Sequence, residues 1–166
     1  MNEQIKNRPK GMTFLLVLSF INACWNILRS IVMYFTTPMI GTMLENGQFE
    51  EMMEPFSAMG ADFTNAMTDS MTIMSQISPI YYLFTLVLFI ASMIGVIKMF
   101  KLNKRGLHIY AIAQILMLIN ASVYVYPLQK PSPFTYDLLL TIMFILAYYL
   151  YFKRMDMQRQ QQPPIE

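Results

Sequence analysis

Residues 80–97 read IYYLFTLVLFIASMIGVI, a run without one charge and without alternation of apolar and polar positions. A lipid-facing barrel strand must alternate, so unbroken apolarity of this length predicts a helix. With Lys98 and Phe100 extending its far end, the run covers the roughly 20 residues a helix needs to cross a hydrocarbon core of about 30 Å. Outward from it, Met12–Phe35, Leu107–Tyr126 and Pro133–Phe152 share its character. Charges collect between these runs, at 3–10, 45–69, 98–105 and 153–159. The expected fold is an all-α integral membrane protein: a four-transmembrane-helix bundle with short amphipathic helices in the first outer loop.

Composition agrees. The chain has 166 residues, of which 55 % are hydrophobic and only 13 % charged, against about 25 % charged in a soluble domain. One domain is expected at this length. Its predicted parts are an N-terminal segment 1–11, a membrane domain 12–154 and a tail 155–166. The spans fall near 12–35, 80–100, 107–126 and 133–152, with the outer loop at 37–78. The tail is rich in Gln and Pro (Gln160, Gln161, Gln162, Pro163, Pro164), a composition that predicts disorder.

Orientation follows from the basic residues, which favour the cytoplasmic side. Lys6, Arg8 and Lys10 precede the first span. Lys98, Lys101, Lys104 and Arg105 separate the second from the third, and Lys153, Arg154 and Arg159 follow the fourth. The other side has Lys130, plus Arg29 within a span. Both termini are therefore expected in the cytoplasm, with the protein in the inner (cell) membrane. Tyr34, Tyr81, Tyr82, Tyr124, Tyr126 and Tyr136 fall at one boundary, and Tyr110, Tyr148, Tyr149 and Tyr151 at the other, as aromatic belts require.

The first span admits a rival reading. Lys6–Lys10 before Thr13–Ala23 is patterned like a signal peptide, and Ile21-Asn22-Ala23-Cys24 is patterned like a lipoprotein cleavage box. Apolarity continues through Trp25, Ile27, Leu28 and Ile31–Phe35, so an uncleaved span is the expectation.

The 37–78 loop carries Glu45, Glu50, Glu51, Glu54, Asp62 and Asp69, no basic residue, and eight of the seventeen methionines. Thr37 before Pro38 reads as an N-cap with a first-turn proline, and Asn46-Gly47 as a stop. Asp62 reads as the cap of a further helix, with Phe63, Met67, Met71 and Met74 on one face. The methionines invite copper(I), a soft ion. Their helical spacing, with no His or Cys among them, favours a packing face. At 98–106 only a tight helical hairpin fits, and Ser132-Pro133 reads as the start of the fourth span.

Polar groups inside spans are expected to face the bundle interior. The candidates are Asn22, Asn26 and Arg29 on the first span, with Ser30 beside them. Gln114 and Asn120 lie on the third, with Ser122, and Asp137 on the fourth, with Thr141. At 1.5 Å per residue, Arg29 lies roughly 25 Å along its helix and Asp137 roughly 6 Å into a helix running the other way. Equal depth and opposite charge predict an Arg29–Asp137 ion pair. Asn26 and Asn120 match in depth too, and are expected to bond across helices. Ala91 and Gly95 form a small-xxx-small pair suited to close packing.

Chemical signatures are few. A single cysteine, Cys24, excludes a disulfide framework or CxxC pair. A single histidine, His108, argues against an all-protein zinc site and lacks a carboxylate nearby in sequence. The chain has no G-x-S-x-G and no H-E-x-x-H. No catalytic, cofactor or metal residue is assigned.

The stretch Asn103-Lys104-Arg105-Gly106-Leu107-His108-Ile109-Tyr110, leading into a helix with Gln114, resembles the third-span entry of small bacterial four-span membrane proteins, especially of Bacteroidota. That resemblance implies the fold and brings no activity. The large first loop and small second one are similar in layout to tetraspanins and claudins, without their loop cysteines. The expectation for function is a non-enzymatic subunit or scaffold engaging protein or lipid, with a homo-oligomer or membrane protein as partner and no nucleic acid. The alternative is a small oligomeric transporter or channel subunit built on the polar cluster.

Overall fold

The computed structural model describes residues 10–160. Helix α1 runs Lys10–Glu45, α2 Gln48–Met53, α3 Ala61–Gln76, α4 Pro79–Phe100, α5 Arg105–Tyr124 and α6 Phe134–Gln160. Short 3₁₀ segments cover Glu54–Met59 and Tyr126–Leu128. Among the described residues four helices, in α1, α4, α5 (continued to Leu128) and α6, are long and apolar enough to cross a membrane. Their flanks leave side chains such as Trp25, Phe84, Ile112, Ile119, Leu139 and Leu146 exposed, a surface that water penalises and hydrocarbon does not.

Two ends of the bundle differ. One, the hairpin end, carries the 101–104 turn, the start of α1 and the end of α6. The other, the cap end, carries α2, α3 and the 125–133 connection. Helix α1 packs along α4, α4 along α5, and α5 along α6.

The hairpin end is tight because two glycines meet there. A Cβ on Gly95 would stand 2.9 Å from the Tyr110 amide nitrogen and 3.0 Å from the Gly106 carbonyl oxygen. One on Gly106 would stand 2.6 Å from the Gly95 carbonyl oxygen. Of the Ala91/Gly95 pair, Gly95 makes this close approach, and its partner is Gly106. The turn is closed by Asn103, whose amide donates to the Lys98 carbonyl at 3.0 Å. Its side-chain oxygen accepts from the Arg105 amide at 3.0 Å, supplying a partner the first turn of a helix lacks. Around this junction Met12, Leu16, Val96, Met99, Leu107, Tyr110, Tyr148 and Phe152 form the core.

The cap end departs from the expected layout. Thr37-Pro38 does not begin a new helix: Pro38 lies inside α1, which runs on to Glu45. A helix of 36 residues is roughly 54 Å long at 1.5 Å per residue, well beyond a hydrocarbon core of about 30 Å. The surplus projects at the cap end, and α2 and α3 fold back against it. Phe49 and Met53 of α2 are buried, as is Thr37 on α1. Asn46-Gly47 does end α1, with Gly47 at φ 71°, the left-handed backbone that glycine reaches without a Cβ clash. The N-cap of α3 is Gly60, and Asp62 sits in the first turn without a capping bond. There a carboxylate still favours the positive end of the helix dipole.

At the far end, Ser132 Oγ accepts from the Phe134 amide at 3.4 Å, starting α6 where the Ser-Pro signal predicts. Helix α6 continues to Gln160, so residues 155–160, expected in a disordered tail, are helical. The remainder of that tail, 161–166, and Lys6 and Arg8 lie outside the described residues.

Candidate functional site

A cavity of about 880 Å³ opens between the four long helices on the cap side of the core. Its first wall is α1. Asn22, Asn26, Arg29 and Ser30 recur at spacings of three and four, the period that stacks side chains on one helix face. Asn26 Nδ2 donates to the Asn22 carbonyl at 2.9 Å and to Asn22 Oδ1 at 3.0 Å. Ser30 Oγ donates to the Asn26 carbonyl at 2.7 Å. This ladder satisfies part of its own polarity along the helix and leaves the rest facing the cavity.

The opposite walls are α4, α5 and α6. Tyr81, Tyr82, Thr85 and Phe89 come from α4, and Gln114, Met117 and Leu118 from α5. Helix α6 contributes Asp137, Leu140, Thr141 and Phe144. Gln114 Nε2 reaches the buried Ser92 Oγ at 3.3 Å, tying α5 to α4. Over the top, α3 supplies Ser70, Ile73 and Met74. Met74 is the one member of the predicted Phe63/Met67/Met71/Met74 face to reach the cavity.

Five of the six predicted polar residues therefore line one space: Asn22, Asn26, Arg29, Gln114 and Asp137. Asn120 does not. Its Nδ2 donates to the Tyr81 carbonyl at 3.2 Å and to Thr85 Oγ1 at 3.0 Å. The expected Asn26–Asn120 bond is absent, because each amide is already engaged, one within α1 and the other on α4.

Arg29 and Asp137 do share the cavity. Among the described residues no ion pair joins them. Asp137 Oδ2 instead accepts from the Tyr126 hydroxyl at 2.8 Å. Both charges lie within electrostatic reach of Tyr81. Sequence reasoning placed Tyr81, Tyr82 and Tyr126 in an interfacial belt and missed their place in the cavity wall, because depth along a helix says nothing of the direction a side chain faces.

The floor lies toward the core. Ser19 lines it, and its Oγ lies 2.7 Å from the Tyr148 hydroxyl. Tyr148 donates to the Leu15 carbonyl at 2.8 Å. A phenol has one hydrogen, so Ser19 is the donor in their mutual bond. The Tyr110 ring meets Tyr148 edge-on at 5.3 Å. Below this lock the helices are packed; above it they diverge around the cavity.

Chemically, the lining offers hydrogen-bonding amides and hydroxyls, one guanidinium and one carboxylate. Among the described residues it includes no His or Cys, and no cluster of three or more His, Cys, Asp or Glu side chains gathers anywhere. Such a lining can bind and orient a molecule. His108 and Cys24 are both exposed on helix flanks, apart from the cavity. No protein-family model matches the chain, and no curated protein or solved structure is similar to it.

Proposed function

We propose that the chain is a non-enzymatic multi-pass membrane protein, inserted with both termini in the cytoplasm, whose cavity receives a small ligand from the outer side. One observation carries this reading. Asn22, Asn26, Arg29, Gln114 and Asp137, drawn from three separate helices, face the same space of about 880 Å³. Polar groups within apolar spans cost free energy unless paired or wet, and packing alone would not leave a space of ligand size beside them. Its role is that of a binding or transport component. Four spans are few for a complete transporter, so such a role implies a homo-oligomer or a membrane partner.

The orientation rests on the basic residues, concentrated at the hairpin end in Lys10, Lys98, Lys101, Lys104, Arg105, Lys153 and Arg154. It makes the cap, with its six acidic residues, the outer face.

A second reading, a scaffold that engages another protein through the cap, is favoured by one feature. The projecting end of α1 and the segment after it expose Met39, Met52 and Phe56 outside the span-length part of the helix.

Thiol labelling of intact cells separates the readings. On a Cys24→Ser background, Asn26→Cys should react with a membrane-impermeant methanethiosulfonate added outside, and Ile112→Cys, on the lipid-facing flank of α5, should not. An Asn26→Cys protein as inert as Ile112→Cys would rule out the wet cavity and leave the scaffold reading.

A further inference from the structure

The two charges in the cavity point to a class of ligand, an inference that rests on the binding reading. Arg29 and Asp137 are opposite charges facing one cavity without an ion pair between them. Among the described residues Arg29 makes no hydrogen bond or ion pair, so its donors are free. Asp137 has one oxygen engaged by Tyr126 and the other open. An unpaired charge near the membrane is costly, and a ligand that brings the complementary charges removes that cost at both positions. The cavity's formal charge is zero, because Arg29 and Asp137 cancel. A purely anionic ligand would satisfy Arg29 and leave Asp137 facing excess negative charge, and a cation would do the reverse.

Between the two charges and the floor the wall is mixed. Phe89, Met117, Leu118, Leu140 and Phe144 present apolar surface on α4, α5 and α6, beside the amides of Asn22, Asn26 and Gln114. Helices α1 and α6, each packed on a different partner (α4 and α5), are joined by the Tyr148 bonds at the floor. Charges toward the cap end, with this apolar surface on the α4, α5 and α6 walls, suit a molecule with a polar head and an apolar body.

We propose that the cavity binds a zwitterionic amphiphile, its acid group on Arg29, its ammonium on Asp137 and its apolar body along Phe89, Met117 and Phe144. Arg suits the acid group because its planar fork donates to carboxylate or phosphate through two parallel bonds. Tyr126 holds the Asp137 carboxylate in place while leaving an oxygen for the ammonium. This chemistry occurs in an aminoethyl phosphate lipid headgroup and in a water-soluble apolar amino acid.

Two probes distinguish the sources. Protein reconstituted in nanodiscs of equimolar phosphatidylethanolamine and phosphatidylglycerol is released into mild detergent, and retained lipid is identified by native mass spectrometry. Tritiated leucine is tested separately by equilibrium dialysis. The expected result is retention of one zwitterion, phosphatidylethanolamine for a lipid site or leucine for a soluble-ligand site. Arg29→Gln and Asp137→Asn should each weaken retention roughly ten- to hundredfold, the range for losing a charged hydrogen bond. The Asn at 137 keeps an oxygen for Tyr126, so a folded, monodisperse variant is expected, and the neutral double variant Arg29→Gln/Asp137→Asn removes any lone charge. Preferential retention of phosphatidylglycerol, indifferent to Asp137→Asn, would overturn the zwitterion assignment. So would the absence of both zwitterions from a protein whose Asn26→Cys form still reacts from outside, a result that leaves the wet cavity standing. If Asn26→Cys is also inert, the binding reading itself falls.

Discussion

Tyr148 and Ser19, 129 positions apart in the chain, meet at 2.7 Å and close the bundle between its first and last helices. The phenol is fully buried, and its hydroxyl also donates to the Leu15 carbonyl at 2.8 Å. This contact converts four membrane-length helices into a vessel with a floor. On one side of it lies the core of Met12, Leu16, Val96 and Met99, and on the other the polar cavity that Ser19 lines.

Removing only the hydroxyl and removing the whole ring should therefore have separable effects. Tyr148→Phe keeps the edge-on contact with Tyr110 and is expected to cost about 2 kcal/mol, the net worth of the two neutral hydrogen bonds its hydroxyl makes. Tyr148→Ala empties a close-packed site and is expected to cost about 3–5 kcal/mol. Unfolding of the purified variants in detergent measures both. Equal losses would mean that the hydroxyl alone holds α6 to α1.

The glycine crossing makes a sharper demand on size. At Gly106 an added methyl would stand 2.6 Å from the Gly95 carbonyl oxygen and 2.7 Å from the Met99 amide nitrogen. These are backbone atoms of another helix, so relief requires α4 and α5 to separate. Gly106→Ala and Gly95→Ala are each expected to destabilise by about 1–3 kcal/mol, the usual cost of overpacking. Gly41→Ala serves as the control, since nothing lies within 4 Å of its added methyl. A Gly106→Ala protein as stable as Gly41→Ala would show that the helices do not cross so closely.

The long helices were legible because a span is a one-dimensional property: length and unbroken apolarity suffice. Membership of the cavity was nearly as legible, since polar residues within long apolar helices, such as Asn22, Asn26, Arg29 and Asp137, have few favourable places to face. Pairing was not. Depth counting brought Arg29 level with Asp137 and Asn26 level with Asn120, yet a pair also needs matching azimuth, which depends on how each helix is rotated. Asp137 found Tyr126, eleven residues away, and Asn120 found α4. Thr37-Pro38 misled for a related reason. The signal marks where a helix can begin, but a continuous α1 buries Thr37 beneath the cap, and tertiary packing outweighed the local cue.

Asn120 supplies the clearest test of which pairings exist. Its amide donates to Thr85 Oγ1 at 3.0 Å and to the Tyr81 carbonyl at 3.2 Å, while Asn26 bonds within α1. A double-mutant cycle of Asn120→Ala with Thr85→Val should give a coupling of about 0.5–1.5 kcal/mol, the scale of hydrogen bonds between membrane helices. The cycle of Asn120→Ala with Asn26→Ala should give additive losses, as expected for residues without shared partners. Because Asn120 lies off the cavity, its Ala variant should lose stability while leaving the outside reactivity of Asn26→Cys unchanged. Both cycles are read by unfolding in detergent, and the presence or absence of coupling separates the alternatives. Coupling to Asn26 in place of Thr85 would mean that α5 is rotated about its axis, with Asn120 turned into the cavity rather than onto α4.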